Sequence, residues 1–140
     1  VLKFIEEKGA KTQEELKTDS SSWGNYTNVA FDVKREQGLY TTAPTTSGSW
    51  NTTSNYTKPS SGVLLTTGAT DRNSVLGIYD FAGNVWAWTL ERSSRTSMST
   101  PCTYRGGHYK DANTSYSSAC GRNGNLLSAD SSIGFRAALW

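Results

Sequence analysis

The clearest periodic signal in the chain is Val85-Trp86-Ala87-Trp88-Thr89-Leu90, which alternates strictly. Trp86, Trp88 and Leu90 fall on one face and Val85, Ala87 and Thr89 on the other, the two-residue period of a strand. The same period returns at the end of the chain, where Ile133, Phe135, Ala137 and Leu139 share a face. Val63 to Thr67 is an apolar-rich run closed by Gly68 and predicts a short buried strand. Thr103-Tyr104-Arg105 predicts another, broken by Gly106-Gly107, and a strand-like patch lies near Val29 to Val33. Helical signals are confined to the start. Leu2, Phe4 and Ile5 sit among charges ahead of Gly9, which falls at a helix C-cap position. Thr12-Gln13-Glu14-Glu15 then has the spacing of a capping box, with Leu16 as its anchor. Short antiparallel strands with long connections predict an α+β domain. Because Val1 to Glu7 already reads as helix and no Met opens the chain, the domain's true N-terminus is expected to precede Val1.

Two polar stretches interrupt these elements. Thr18 to Ser61 is rich in Ser, Thr, Asn and Gly, and Trp23, Tyr26, Trp50 and Tyr56 punctuate it. Large rings at such spacing are expected to pin loops onto a core. His108 to Ser132 lacks hydrophobic periodicity although it lies between two well-specified strands. A chain of 140 residues bounds the answer to one domain, 1–140. Hydrophobic residues make up only 35%, but five Trp, seven Tyr and four Phe supply large burial per residue, so a core remains feasible. A formal charge of +2 with no basic stripe gives no reason to expect nucleic acid as a partner. No apolar run approaches the roughly 18 residues of a membrane span, and no signal-peptide pattern is present. Cys102 and Cys120 permit one disulfide or two separate thiols, and their number does not choose between these or between redox compartments.

Three segments carry a family resemblance. Gly77-Ile78-Tyr79-Asp80-Phe81-Ala82-Gly83-Asn84-Val85-Trp86-Ala87-Trp88-Thr89, Arg105-Gly106-Gly107-His108-Tyr109 and Ile133-Gly134-Phe135-Arg136 occur in that order. Together they resemble the signature, Gly-Gly element and closing motif of the formylglycine-generating (sulfatase-modifying factor) branch of the C-type-lectin fold. Each also has a structural reading. Gly83-Asn84 suits a turn of positive φ, Gly106-Gly107 a bulge or close backbone approach, and Arg136 an ion pair or carbonyl contact. The resemblance implies a C-type-lectin-like α+β fold. It also implies a calcium site at the Asp80 side chain and the Gly83 and Val85 carbonyls, but the fourth ligand position of the enzymes is Ala87 here. Calcium favours several oxygen ligands, carboxylates among them, so a single remaining acid makes the site doubtful.

The resemblance further locates the enzymes' copper-binding cysteine pair just after the Gly-Gly element, near Asp111 and Tyr116, and neither is a thiol. Related iron enzymes need clustered histidines, and His108 is the only histidine. No catalytic residue is assigned, and an oxidoreductase of this type is the least favoured function. Tyr, Ser, Gly and Asn instead suit an adaptable binding surface. The run from Arg105-Gly106-Gly107 to Ile133-Gly134-Phe135-Arg136-Ala137-Ala138-Leu139 also resembles the variable region of a diversity-generating-retroelement protein of gut bacteria or their phages, here 103–140. In such systems adenine-directed mutagenesis rewrites chosen codons on one scaffold. This implies binding positions at His108, Tyr109, Asp111, Asn113, Tyr116, Asn123, Asn125, Leu126, Leu127, Ser128 and Ser131, with Lys110 fixed. The expected function is non-catalytic display of a diversified surface on a phage particle or bacterial surface, recognising varied protein or glycan ligands without a cofactor. The alternative is a carbohydrate- or surface-binding module of fixed specificity using Trp50, Tyr56 or Trp88.

Overall fold

The computed structural model describes residues 1–33, 35–36, 38–44, 49–93, 101–125 and 130–135. The helical signals appear where the sequence places them. Helix α1 spans Leu2–Glu7 and α2 spans Gln13–Thr18. In α2 the Glu15 N–H donates to Thr12 Oγ1 at 3.2 Å, and the Thr12 N–H donates to Glu15 Oε2 at 2.8 Å. That reciprocal pair satisfies first-turn donors that a short helix would otherwise leave open. Ile5 and Leu16, one from each helix, are buried with Trp23, Tyr26, Val75, Phe81 and Ala82 in the first core cluster.

Strands make up the rest. β1 (Phe31–Val33) pairs with β4 (Tyr56–Lys58), and β2 (Leu39–Thr41) lies between β3 (Asn51–Thr52) and β5 (Leu64–Leu65). A 3-10 turn at Asp71–Asn73 leads into the hairpin of β6 (Ser74–Val75) and β7 (Ile78–Tyr79). The principal sheet has four strands in the order β10 (Gly121–Gly124), β9 (Cys102–Arg105), β8 (Trp86–Arg92), β11 (Ile133–Gly134). Phe31, Val33, Val63, Leu65 and Ala69 form a second core cluster beneath the small sheets.

Four expectations change. With two six-residue α-helices against a series of short strands, the domain is β-dominated rather than balanced α+β. β11 joins β8 in parallel, Ile133 opposite Trp86, so the strands are not all antiparallel. A strand, β10, forms inside the polar stretch, where Gly-Arg-Asn-Gly carries no apolar residue to announce it. The alternation of β8 also fails at its far end. A register shift between Trp88 and Arg92 turns Leu90 fully outward, while Trp86 stays buried. Arg136 and the residues after it lie outside the described residues.

Candidate functional site

The site is built on the turn that joins the Asp80 segment to β8. Gly83 has φ +67° and Asn84 φ +63°, the left-handed conformation expected of the pair. A Cβ at Gly83 would lie 2.2 Å from the Asn25 carbonyl oxygen, so glycine is required there twice over. Asn84 uses this conformation to brace the molecule. Its Oδ1 accepts from Asn25 Nδ2 at 2.9 Å and from the Leu65 N–H at 3.0 Å, and its Nδ2 donates to the Leu65 carbonyl at 2.9 Å. Its own carbonyl accepts from the Tyr109 N–H at 2.9 Å. One buried side chain and its backbone thus join the N-terminal polar stretch, β5 and the start of the candidate loop.

The Gly-Gly element continues the same frame. The Gly106 carbonyl accepts from the Gly83 N–H at 2.7 Å and from the Tyr26 hydroxyl at 3.0 Å. Gly107 has φ +74°, and a Cβ there would meet the Tyr116 carbonyl oxygen at 2.6 Å. The chain then turns through His108–Asp111, where Asp111 Oδ2 accepts from the His108 N–H at 3.0 Å. His108 Nδ1 is 2.7 Å from the same oxygen but lacks the alignment of a hydrogen bond. The Asp111 carbonyl accepts from the Thr27 N–H at 2.9 Å.

Farther on, the loop is fastened to α2. The Leu16 carbonyl accepts from the Ala119 N–H and from Ser118 Oγ, both at 3.0 Å, and the Lys17 carbonyl accepts from Ser117 Oγ at 2.7 Å. These bonds satisfy the carbonyls that the end of a helix leaves open. They also explain how residues 117–119 are held without hydrophobic periodicity: serine hydroxyls and backbone groups fasten them, and neither appears in a hydropathy pattern.

The candidate binding positions separate into two groups. Tyr109 is completely buried, and Asn113 is buried with its amide donating to Asp19 Oδ1 at 2.7 Å and accepting from Asn28 Nδ2 at 2.6 Å. These two support the loop from beneath and are not available to a ligand, which corrects the expectation for both. His108, Asp111, Tyr116 and Asn123 are half-buried at the surface, and Asn125 and Ser131 are exposed. Leu126, Leu127 and Ser128 lie outside the described residues.

Aromatic rings connect the accessible positions to the sheet. Trp86 meets Tyr116 and Tyr104 edge-on, with centroids at 5.4 and 5.1 Å, and Trp88 meets Tyr104 at 5.4 Å. The Arg122 guanidinium lies 5.4 Å from the Tyr116 ring centre, a cation–π contact that keeps the exposed arginine presented beside the ring. Tyr104 and Arg122 were not among the sequence candidates. They become neighbours through the β9–β10 register, in which they sit opposite each other. No apolar residue in Gly121–Gly124 announces that pairing in the sequence.

The residues implied as a calcium site do not fit one. Asp80 is buried, its Oδ2 accepts from the Gly68 N–H at 2.7 Å, and its Oδ1 faces Asn73 Nδ2 at 3.4 Å. The carboxylate therefore closes the Gly68 turn. The Ala87 side chain carries no oxygen, and its cross-strand neighbour is Arg105, a cation. Among the described residues no group of three or more His, Cys, Asp or Glu is placed to hold a metal ion. The cysteines are free. Cys102 pairs with Gly124 at one end of the β9–β10 ladder, while Cys120 lies beside Gly106 at the other. That is about 13 Å along the strands, beyond disulfide reach. Burial pushes the Cys120 thiol up despite Arg105 and Arg122 nearby, which disfavours the reactive thiolate.

The crystal structure of CarF is similar at 30% identity over 54% of this chain, with a TM-score of 0.45, and the match spans 27% of CarF's own length. No curated protein matches. The sheet-rich fold with few short helices is consistent with the C-type-lectin-like fold expected from the motifs. Residues 7–139, nearly the whole chain, match the sulfatase-modifying factor enzyme 1-like domain, and the chain belongs to that family.

Proposed function

We propose that this domain is a non-catalytic binding module that displays a diversified C-terminal surface on a fixed scaffold. The observation that carries the reading is the division of labour within the 103–135 segment. Gly106, Gly107, Tyr109, Asn113, Ser117 and Ser118 are buried, while Tyr116, Arg122, Asn123, Asn125 and Ser131 are accessible between them. Accessible positions can change at small cost to the fold, because surface substitutions cost little. Half-buried Tyr116 backed by Trp86 and flanked by Arg122 is the type of group that dominates binding energy at interfaces.

The module would recognise protein or glycan ligands from the surface of a phage particle or bacterium, with no obligatory cofactor. Two features argue against formylglycine-type chemistry: Asp111 and Tyr116 stand near the enzymes' cysteine positions, and the two thiols present lie at opposite ends of a ladder. Binding is tested by displaying the domain against bacterial cells and a glycan array. Combined substitution of Tyr116, Arg122 and Asn123 by serine is expected to abolish a captured signal in a domain that still folds, its unfolding midpoint lowered only by the lost Trp86–Tyr116 ring contact. A lowered midpoint with intact capture would overturn the reading. A fixed-specificity glycan module has one feature in its favour, the exposed Trp50 near the stacked Tyr40 and Tyr56 rings, whose centroids are 3.7 Å apart. It would give a signal lost on Trp50→Ala instead.

A further inference from the structure

Lys58 is the most anomalous residue in the domain. Its side chain is completely buried on β4, and among the described residues it has no carboxylate partner. Its Nζ donates instead to three backbone carbonyls, Val29 at 2.7 Å, Tyr26 at 2.8 Å and Pro59 at 3.0 Å. An ammonium has three N–H donors, so the three acceptors match the charged form in full. Two of them, Tyr26 and Val29, bracket a single turn.

That turn carries the candidate loop. The Thr27 N–H donates to the Asp111 carbonyl, Asn28 Nδ2 donates to Asn113 Oδ1, and the Asn113 N–H donates back to Asn28 Oδ1 at 3.2 Å. Toward Lys58, β1 presents the Phe31 ring, 5.4 Å from Nζ, while Asp32 points its carboxylate to Thr57. The Tyr26 phenol is turned toward the Gly106 carbonyl. From the 3-10 turn, the Arg72 guanidinium lies 4.3 Å from the centre of the same Phe31 ring and adds a like charge.

We propose that Lys58 is a positioning residue for the proposed binding loop, and that its charge state sets how firmly the Tyr26–Val29 turn holds Asp111 and Asn113. Loss of its proton leaves an amine with two N–H donors facing three carbonyls, so one acceptor loses its partner and the turn loosens. Burial, with Arg72 secondary, brings the Lys58 ammonium down to about 8, within reach of mildly alkaline conditions. The inference concerns the loop of the proposed binding surface but does not depend on a ligand, so its failure and that of the binding reading are distinguishable.

The test is a pH titration by NMR detecting carbonyl carbons, which survive fast amide exchange, from about pH 6 to about pH 10. The side chain of Lys58 and the signals of Thr27, Asp111 and Asn113 are expected to shift together with a common midpoint near 8. Lys58→Met is expected to abolish the transition in all three loop signals, and Lys58→Arg to hold them at their neutral-pH positions throughout. Loop signals that stay flat while Lys58 titrates would overturn the proposal. So would a shared loop transition with a midpoint near 8 that persists in either variant. If a variant does not fold, the presence or absence of a common midpoint in the unaltered protein decides.

Discussion

Asn84→Ala removes three buried side-chain hydrogen bonds and puts a Cβ-bearing residue without a local polar contact at positive φ. Leaving Asn25 and both backbone groups of Leu65 short of partners is expected to cost about 3 kcal/mol or more, read as a shift in the urea midpoint at constant slope. Tyr109 makes the opposite case. Its ring is buried but its hydroxyl has no hydrogen-bond partner among the described residues. Tyr109→Phe keeps the packing and removes an unsatisfied polar group, so stability should stay level or rise by up to about 1 kcal/mol. A loss of that size would mean that the hydroxyl has a partner such as a buried water.

At the scale of elements, the junction between α2 and the candidate loop responds to acid. Asp19, just past α2, accepts from the Ser21 N–H at 2.7 Å and from Asn113 Nδ2 at 2.7 Å. The Ser21 hydroxyl and N–H, with Asn113 adding less, hold its carboxyl below the ordinary aspartate value. In the folded state Asp19 therefore gives up its proton more readily than in the unfolded chain. Its contribution is present above about pH 4 and is lost as the pH falls through the depressed folded value. Asp19→Asn should flatten that part of the acid limb in a series of unfolding curves, while an unchanged limb would show that the carboxylate does not anchor the loop.

How much of this was legible follows the same division. Residues whose side chains reveal their environment were readable: the Thr12 capping box, the positive-φ Gly83-Asn84 pair, and a strand carrying Trp86 and Trp88 all appear as expected. Contacts made by backbone or by serine and asparagine amides were not. β10 is held by its ladder to β9 and not by an apolar face, and Ser117 and Ser118 reach α2 through hydroxyls. Tyr109 and Asn113 belong to residue types equally at home on a binding surface, and only tertiary packing assigned them to the interior.

For the molecule as a whole, scaffold and surface should respond differently to randomisation. A library varying Tyr116, Arg122, Asn123, Asn125 and Ser131 is expected to retain mostly folded members by protease resistance. A library of equal size at Asn84, Gly107, Tyr109, Asn113 and Ser118 should not. Folding alone does not establish diversification, however, which leaves its mark on the gene. The most direct measurement is therefore to sequence the locus across sibling cells or phages and compare the segment encoding 103–140 with a nearby template repeat beside a reverse transcriptase gene. The account predicts adenine-directed replacements at the accessible positions, including Tyr116, Asn123, Asn125 and Ser131, with Tyr109 and Asn113 constant. A locus without such a repeat, or with the segment invariant among siblings, would contradict it.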